Sequence, residues 1–175
     1  MAGGDDLKLK WFCLIFRSFL TNRQQSVRVE NVLSRVRNVR SGVPQGSILA
    51  SLLFIAYIAP LQQIQFSNGA STVGYADDLC YLKAVKRDDT GQFNVVDIER
   101  DISKIREVVS NLKMKLNVAK TKAVVFSLAP IPPNIPAIKL DGDQIEEVET
   151  YKYLGAWVDR KLRWSIHAKK KIGEA

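Results

Sequence analysis

The strongest constraint on the fold is a long segment without charge. No Asp, Glu, Lys or Arg occurs between Ser41 and Ala76, and the segment contains an apolar stretch from Ile48 to Leu61. This stretch is shorter than the roughly 20 residues of a membrane span, and Pro60 closes it. It predicts a helix buried on most sides, which follows the loop Gly42–Ser47 with Ser47 as a candidate N-cap.

The composition is that of a globular protein with a basic surface. Of 175 residues, 46% are hydrophobic and 25% are charged, and Lys and Arg outnumber Asp and Glu by 26 to 18. Disorder of the whole chain is excluded because such a composition can bury a core. Cys13 and Cys80 are the only cysteines and His167 is the only histidine, which excludes a disulfide scaffold and zinc chemistry. No signal peptide is recognisable, so we expect an intracellular location, nuclear or cytoplasmic.

Basic residues are concentrated towards both ends of the chain. Arginines are frequent between residues 17 and 40, and lysines and arginines between residues 160 and 171. A solvated basic face is the ordinary interpretation of a charge run. Two basic ends around an uncharged middle favour a bound polyanion instead.

Hydrophobic periodicity predicts an α+β fold with most strands in hairpins. Helices are expected at Leu7–Leu20, across the apolar stretch, at Val95–Leu116 and from about Leu162 onward. Strands are expected in a hairpin around residues 27–39, with one apolar and one basic face, and at Thr72–Tyr75, Leu79–Val85, Ala123–Phe126, Ile138–Leu140 and Tyr151–Val158.

Two adjacent acids lie between the strands of one predicted hairpin. Asp77 and Asp78 follow Val73 and Tyr75 and precede Leu79 and Tyr81, so apolar strands aim the pair at one point. Adjacent carboxylates repel each other unless a cation compensates them. Mg²⁺ prefers oxygen ligands and accepts one or two carboxylates together with substrate phosphates. A solvated turn and a metal site are both open on spacing alone.

Four motifs in order make the chain resemble the reverse transcriptases of non-LTR, LINE-type retrotransposons. They cover nearly the whole chain. The segment Ser41–Leu49 followed by Leu52–Phe54 resembles motif B, Tyr75–Asp78 resembles motif C, and Leu116-Asn117 with Lys120-Thr121 resembles motif D. Tyr151–Gly155, followed by Asp159, Leu162, Trp164 and His167, resembles motif E and the entry to the thumb.

The resemblance implies catalytic and binding roles. Asp77 would be a principal metal ligand, Asp78 an ancillary carboxylate, and Lys120 the acid that protonates pyrophosphate, with Lys122 as an alternative. The loop residues that would approach the deoxynucleotide and the template base are Gly42, Pro44, Gln45 and Gly46. The residues that would grip the primer are Tyr153, Leu154 and Gly155, in a stretch that also suits an ordinary hairpin.

The implied activity is RNA-directed DNA polymerisation with Mg²⁺ or Mn²⁺. Its partners would be an RNA template, a DNA primer or RNA–DNA hybrid, and deoxynucleoside triphosphates, without a membrane; the oligomeric state is open. The implied fold is a palm-type antiparallel sheet packed on helices. Residues 1–128 would form a partial palm, 129–137 a proline-rich connector, and 138–175 the motif E hairpin and the start of a helical thumb.

One part of the family pattern is not recognisable in this sequence. The motif A aspartate would precede the first predicted helix, and Asp5 and Asp6 lack the apolar strand that should carry it. We therefore expect the isolated chain to be inactive. The alternative is a non-catalytic, basic nucleic-acid-binding remnant of a retrotransposon.

Overall fold

The computed structural model describes residues 3–86, 95–127, 130 and 135–173. Helices and short strands are mixed in this part of the chain, which confirms the predicted α+β class. The chain divides into two compact units, Met1–Tyr57 and Ile58–Ala175. The predicted connector 129–137 lies largely outside the described residues, and the boundaries drawn from the motifs stay a prediction.

The described residues contain four α-helices and six pairs of strands. The helices are α1 Gly3–Leu20, α2 Ile48–Ile58, α3 Val96–Asn111 and α4 Trp164–Gly173, with 3₁₀ helices at Ala59–Gln63 and Val118–Lys120. The antiparallel pairs are β1 Gln24–Gln25 with β4 Arg37–Asn38, β2 Arg28–Val29 with β3 Val32–Leu33, β5 Ala70–Tyr75 with β6 Asp78–Lys83, β8 Lys139–Leu140 with β9 Asp143–Gln144, and β11 Thr150–Tyr153 with β12 Ala156–Asp159. The parallel pair is β7 Lys122–Ala123 with β10 Glu146–Glu147.

The first unit contains the two apolar helices and a short hairpin. Helix α1 begins at Gly3 rather than at Leu7, one turn before the predicted start. The predicted hairpin is present, but its strands are two residues long and all are exposed. Among the described residues, no helix combines the length and apolar content needed to cross a bilayer.

The prediction that the apolar stretch forms a helix buried on most sides is wrong in its burial. Helix α2 forms, but Ala50 is its only buried residue, and Ile48, Leu52 and Ile55 are more than half exposed. A helix that is apolar all round needs neighbours on several sides. In the part of the chain that the structure describes, such neighbours do not cover α2, and helix α1 of the same unit also leaves apolar side chains exposed.

The second unit has a small hydrophobic core around α3. Leu61, Ile105 and Val109 are its buried members. Partly buried side chains from the residues on either side of the 3₁₀ helix, from β6, and from α3 and the segment after it pack against them, including Leu79 and Tyr81. Strand β6 is therefore held on α3 by alternate residues, as expected of a strand with one face on a core.

Helix α3 ends at Asn111, five residues before the predicted end at Leu116. Lys113 takes a left-handed conformation, with φ 55°. Its N–H donates to the carbonyl of Ser110, and the N–H of Met114 donates to the carbonyl of Val109. These are the two hydrogen bonds of a Schellman motif, and Met114 and Val109 both belong to the core. The apolar periodicity continues beyond the helix because the next residues pack on the same core.

The segment Tyr151–Val158 is not the single strand that periodicity predicts but a hairpin, as the resemblance to motif E implies. Strands β11 and β12 pair from Thr150 with Asp159 to Tyr153 with Ala156, around Leu154 and Gly155. The predicted strand Ala123–Phe126 is also wrong in extent, since only Lys122 and Ala123 pair with a neighbour. An apolar run alone does not fix where a strand turns or stops finding a partner.

Candidate active site

The predicted acidic pair lies at the tip of the β5–β6 hairpin. Six residue pairs join the two strands, from Ala70 with Lys83 to Tyr75 with Asp78. Asp77 is in the connecting turn and Asp78 is the first residue of β6, and both are exposed. Ala76 has φ 51°, a conformation uncommon for residues with a β-carbon and typical of two-residue hairpin loops.

The acidic tip has no compensating cation within the described residues. Neither Asp77 nor Asp78 forms an ion pair there, whereas Asp97, Asp101 and Asp159 each pair with a Lys or Arg. The described part of the chain also contains no cluster of three or more His, Cys, Asp or Glu residues suited to a metal. The two carboxylates are oxygen ligands of the kind that Mg²⁺ prefers. Because they are only two, further oxygen ligands would have to come from water or substrate.

The two faces of β6 contact different parts of the second unit. Leu79 and Tyr81 pack towards the core, while Asp78 and Cys80 belong to the opposite face by strand alternation. Tyr153 of the β11–β12 hairpin lies within electrostatic range of that opposite face. Burial raises the pKa of the Tyr153 phenol, and electrostatic interactions with Cys80 and Asp78 raise it further. Its hydroxyl is buried without a hydrogen-bond partner among the described residues.

The predicted primer-grip residues form the turn between β11 and β12. Leu154 and Gly155 have φ values of 47° and 85°, and two positive φ values in a two-residue loop are those of a type I′ turn. Leu154 is half exposed at the tip. Next to the turn, the backbone N–H of Trp157 donates to Nδ1 of His167. The Lys170 ammonium lies 3.9 Å from the centre of the Trp157 ring.

The predicted nucleotide-binding loop belongs to the first unit. Gly42 and Gly46 have φ values of 79° and 81°, and a β-carbon at either would meet no atom within 4 Å. Positive φ explains both glycines, and the open space leaves the backbone accessible to a ligand. Pro44 is partly buried and Gln45 is exposed.

Sequence reasoning missed the side chain that holds this loop. The guanidinium of Arg23 donates to the carbonyl of Leu20 at the end of α1 (3.0 Å), and to the carbonyls of Gly42 (2.6 Å) and Ser41 (3.4 Å). One planar cation therefore ties the end of a helix to the start of the loop. The sequence signal was weak, because Arg23 is one of many arginines near the N-terminus.

Lys120 and Lys122 have different environments. The Lys122 ammonium donates to the Glu146 carboxylate (2.5 Å) and to the carbonyl of Ala119 (3.1 Å). Lys120 is exposed at the end of a 3₁₀ turn capped by Asn117, and its ammonium has no hydrogen-bond or ion-pair partner in the described part of the chain. Of the two lysines, Lys120 is the one whose ammonium is unpaired within the described residues.

A family model matches most of the chain. The model described as reverse transcriptase (RNA-dependent DNA polymerase) covers residues 5–158. The chain belongs to the reverse transcriptase family. Its matched region includes motifs B, C and D and the β11–β12 hairpin, which confirms the family assigned from the sequence motifs.

Two curated relatives of this reverse transcriptase chain come from Drosophila melanogaster. The probable RNA-directed DNA polymerase from transposon X-element is 29% identical over 155 residues, which are 87% of this chain and 16% of the relative. The RNA-directed DNA polymerase from mobile element jockey is 28% identical over 163 residues, 88% of this chain and 17% of the relative. The chain thus spans about one sixth of the length of these relatives, and no solved structure matches it.

Buried Asp101 is a second feature that the motifs did not indicate. Its carboxylate is fully buried and accepts hydrogen bonds from the Ser67 hydroxyl (2.5 Å), the Ser67 N–H (3.0 Å) and the Tyr81 hydroxyl (2.9 Å), with the Lys104 ammonium at 3.3 Å. Burial opposes its ionisation, but these hydrogen bonds outweigh burial and lower the pKa of Asp101. Burial, and then Asp101 itself, raise the pKa of Tyr81 well above its usual value.

Proposed function

We propose that this chain is palm-type sequence of an RNA-directed DNA polymerase, which extends a DNA primer on an RNA template. The observation that carries the proposal is the exposed, uncompensated pair Asp77 and Asp78 at the tip of a regular hairpin in a reverse transcriptase chain. Adjacent like charges on a net basic protein are favourable mainly where a cation joins them. A divalent cation with nucleotide phosphates is the fitting occupant.

Each remaining role follows from the environment of its side chain. Asp77 and Asp78 would hold Mg²⁺ or Mn²⁺, which when bound supplies an activated primer 3′-hydroxyl and stabilises the departing pyrophosphate. Lys120, exposed and without a partner in the described chain, would donate a proton to that leaving group. The open backbone of Gly42–Gly46, with Pro44 and exposed Gln45, would contact the incoming nucleotide and template. Tyr153–Gly155 would contact the primer.

We also propose that the isolated chain does not polymerise. Two carboxylates on one hairpin offer fewer ligands than a pair of catalytic cations needs. Primer extension with Mg²⁺ and with Mn²⁺ tests this, and negligible synthesis is expected. Template-dependent synthesis that is lost in Asp77→Asn would overturn the inactivity and support the catalytic role of the tip. In a longer protein that contains this chain and extends primers, Asp77→Asn should abolish extension and Lys120→Ala should slow it.

The alternative function is nucleic-acid binding without catalysis, and the basic surface favours it. Arg28, Arg35, Arg37 and Arg40 are all exposed in the first unit, and Lys169–Lys171 are exposed on α4. Binding to RNA–DNA hybrid should be sequence-indifferent and should weaken steeply between about 50 and 200 mM salt. Affinity that does not change over this range would exclude electrostatic binding. Binding without any effect of Asp77→Asn on a longer, extending protein would favour this alternative over catalysis.

A further inference from the structure

The hydrogen bonds of Asp101 join the acidic hairpin to helix α3 at two points. Tyr81, on β6, donates its hydroxyl to the carboxylate, and Ser67, at the turn before β5, donates both its hydroxyl and its N–H. Lys83 extends the network, since its ammonium donates to the Ser67 hydroxyl and to the carbonyl of Asn68, both at 2.6 Å. The network thus contacts the turn before β5 and the last residue of β6, which both lie at the end of the hairpin away from the tip.

We propose that Asp101 is a positioning residue for the acidic tip, which fixes the orientation of the β5–β6 hairpin on α3 and thereby the place where Asp77 and Asp78 present their carboxylates. This rests on the proposed cation-binding role of those two residues. Nothing in motifs B to E assigns a role to Asp101, which lies on α3 between motifs C and D.

Apolar packing alone would not fix this orientation. Leu79 and Tyr81 lie against Leu61, Ile105 and Val109, but burial of apolar surface is non-directional and tolerates small rotations. Hydrogen bonds to one buried carboxylate restrict both distance and angle. The aromatic contact of Tyr81 with Phe66, with ring centres 5.7 Å apart, fixes the position of the Tyr81 ring. The direction of its hydroxyl is fixed by the hydrogen bond to Asp101.

The geometry gives the size of the effect. Asp78 is three residues from Tyr81 along β6, which is about 10 Å at the rise of a strand. A tilt of about 10° around the Tyr81 contact would move the tip carboxylates by almost 2 Å, close to a full metal–oxygen bond length of about 2 Å. The tilt carries both carboxylates together, so it changes where a bound cation lies relative to the rest of the second unit, including Tyr153.

The test uses the whole chain, with Mn²⁺ as the probe and NMR amide signals as the readout. Paramagnetic broadening of the Tyr75–Leu79 signals reports Mn²⁺ at the tip even when binding is weak. Tyr81→Phe removes one hydroxyl and keeps the ring. Because the tilt carries both ligands together, Tyr81→Phe should shift the Mn²⁺ broadening of the Tyr153 amide signal relative to that of the Asp78 amide signal. Ser67→Ala should act in the same direction.

The matched control is Ile105→Val. It removes one methyl group from the core beside the network, without touching any hydrogen bond of Asp101. Loss of stability alone would shift Tyr81→Phe and Ile105→Val equally, and that result would overturn the positioning role. A shift in Tyr81→Phe and not in Ile105→Val supports it.

Asp77→Asn separates the inference from the function on which it rests. If the Asp77→Asn variant shows the same broadening at the tip as the wild-type chain, Asp77 is not a metal ligand. The proposed cation-binding role of the tip then fails, whatever the result for Tyr81→Phe. If Asp77→Asn loses the broadening while Tyr81→Phe matches Ile105→Val, only the positioning role fails. A wild-type chain without broadening at the tip overturns both.

Discussion

Replacing Asp101 with Ala should destabilise the second unit far more than replacing a neighbouring exposed acid. The substitution removes the acceptor of the Tyr81 hydroxyl and of the Ser67 N–H, and the site has no solvent exposure. Each buried donor left without a partner costs about 1–3 kcal/mol. The Lys104 side chain is 39% exposed, so its ammonium can return to water. We therefore expect a loss of about 3 kcal/mol in the free energy of unfolding.

Urea unfolding at pH 7, followed by far-UV circular dichroism, measures this loss. Asp97→Ala is the matched control, because Asp97 lies on the same helix with a side chain 44% exposed and pairs with Arg100 at the surface. Its second partner, the Lys83 ammonium at 3.8 Å, keeps its hydrogen bonds to Ser67 and Asn68 in this variant. The expected cost of Asp97→Ala is below about 1 kcal/mol, from a surface ion pair and the helix dipole. Equal losses for Asp101→Ala and Asp97→Ala would refute the reasoning that the buried network, rather than surface charge, stabilises α3 against the hairpin.

The pH dependence of the same difference gives an independent check. The pKa of Asp101 is lowered on folding from an ordinary value of 3.8. A lowered folded pKa means that the stabilisation by the ionised carboxylate is complete above the unfolded pKa and is lost as pH falls through the folded pKa. The stability difference between wild type and Asp101→Asn should therefore be constant above about pH 5 and should shrink below about pH 4. A difference that grows on acidification would contradict the assigned direction.

Three further predictions concern other parts of the chain. Arg23→Ala should speed tryptic cleavage after Arg40 several-fold, because it frees the adjoining loop from α1, and unchanged cleavage would show that the guanidinium does not restrain it. Lys113→Gly should raise the free energy of unfolding by about 0.5–1 kcal/mol, because glycine adopts positive φ without strain; denaturant unfolding checks this, and a loss would exclude strain at that position. The exposed apolar side chains of α2 predict that the chain self-associates, and the double substitution Leu52→Glu and Ile55→Glu should reduce this in sedimentation experiments, since both side chains are more than half exposed; unchanged association would place the contact elsewhere.

Local sequence patterns predicted the acidic hairpin well for a definite physical reason. Alternating apolar residues define the strands on either side of Asp77 and Asp78, and a two-residue loop leaves the pairing register little freedom. The same pattern analysis failed for Tyr151–Val158, where Leu154 takes positive φ in the turn. Leucine is a poor signal for a type I′ turn, so only Gly155 marked it.

Contacts between distant residues could not be predicted in this way. Ser67 and Asp101 are separated by 34 residues, and an aspartate on a charged helix surface is normally solvated. Its burial follows from the way α3 lies on the hairpin, which no local pattern encodes. The exposure of α2 was missed for the converse reason, because an apolar segment predicts burial without specifying that a neighbour is present to cover it.

A second acidic turn within the chain shows why the tip of β5–β6 is the stronger candidate for a cation. At the β8–β9 turn, Asp141 also takes positive φ, 57°, but its carboxylate forms an ion pair with Arg106 of α3. That turn therefore satisfies its charge within the protein. Asp77 and Asp78 carry two adjacent charges and have no such partner in the described residues, although the chain has an excess of lysine and arginine. The first loop residue takes positive φ in both turns, so the uncompensated charge is what distinguishes a ligand site from a structural turn.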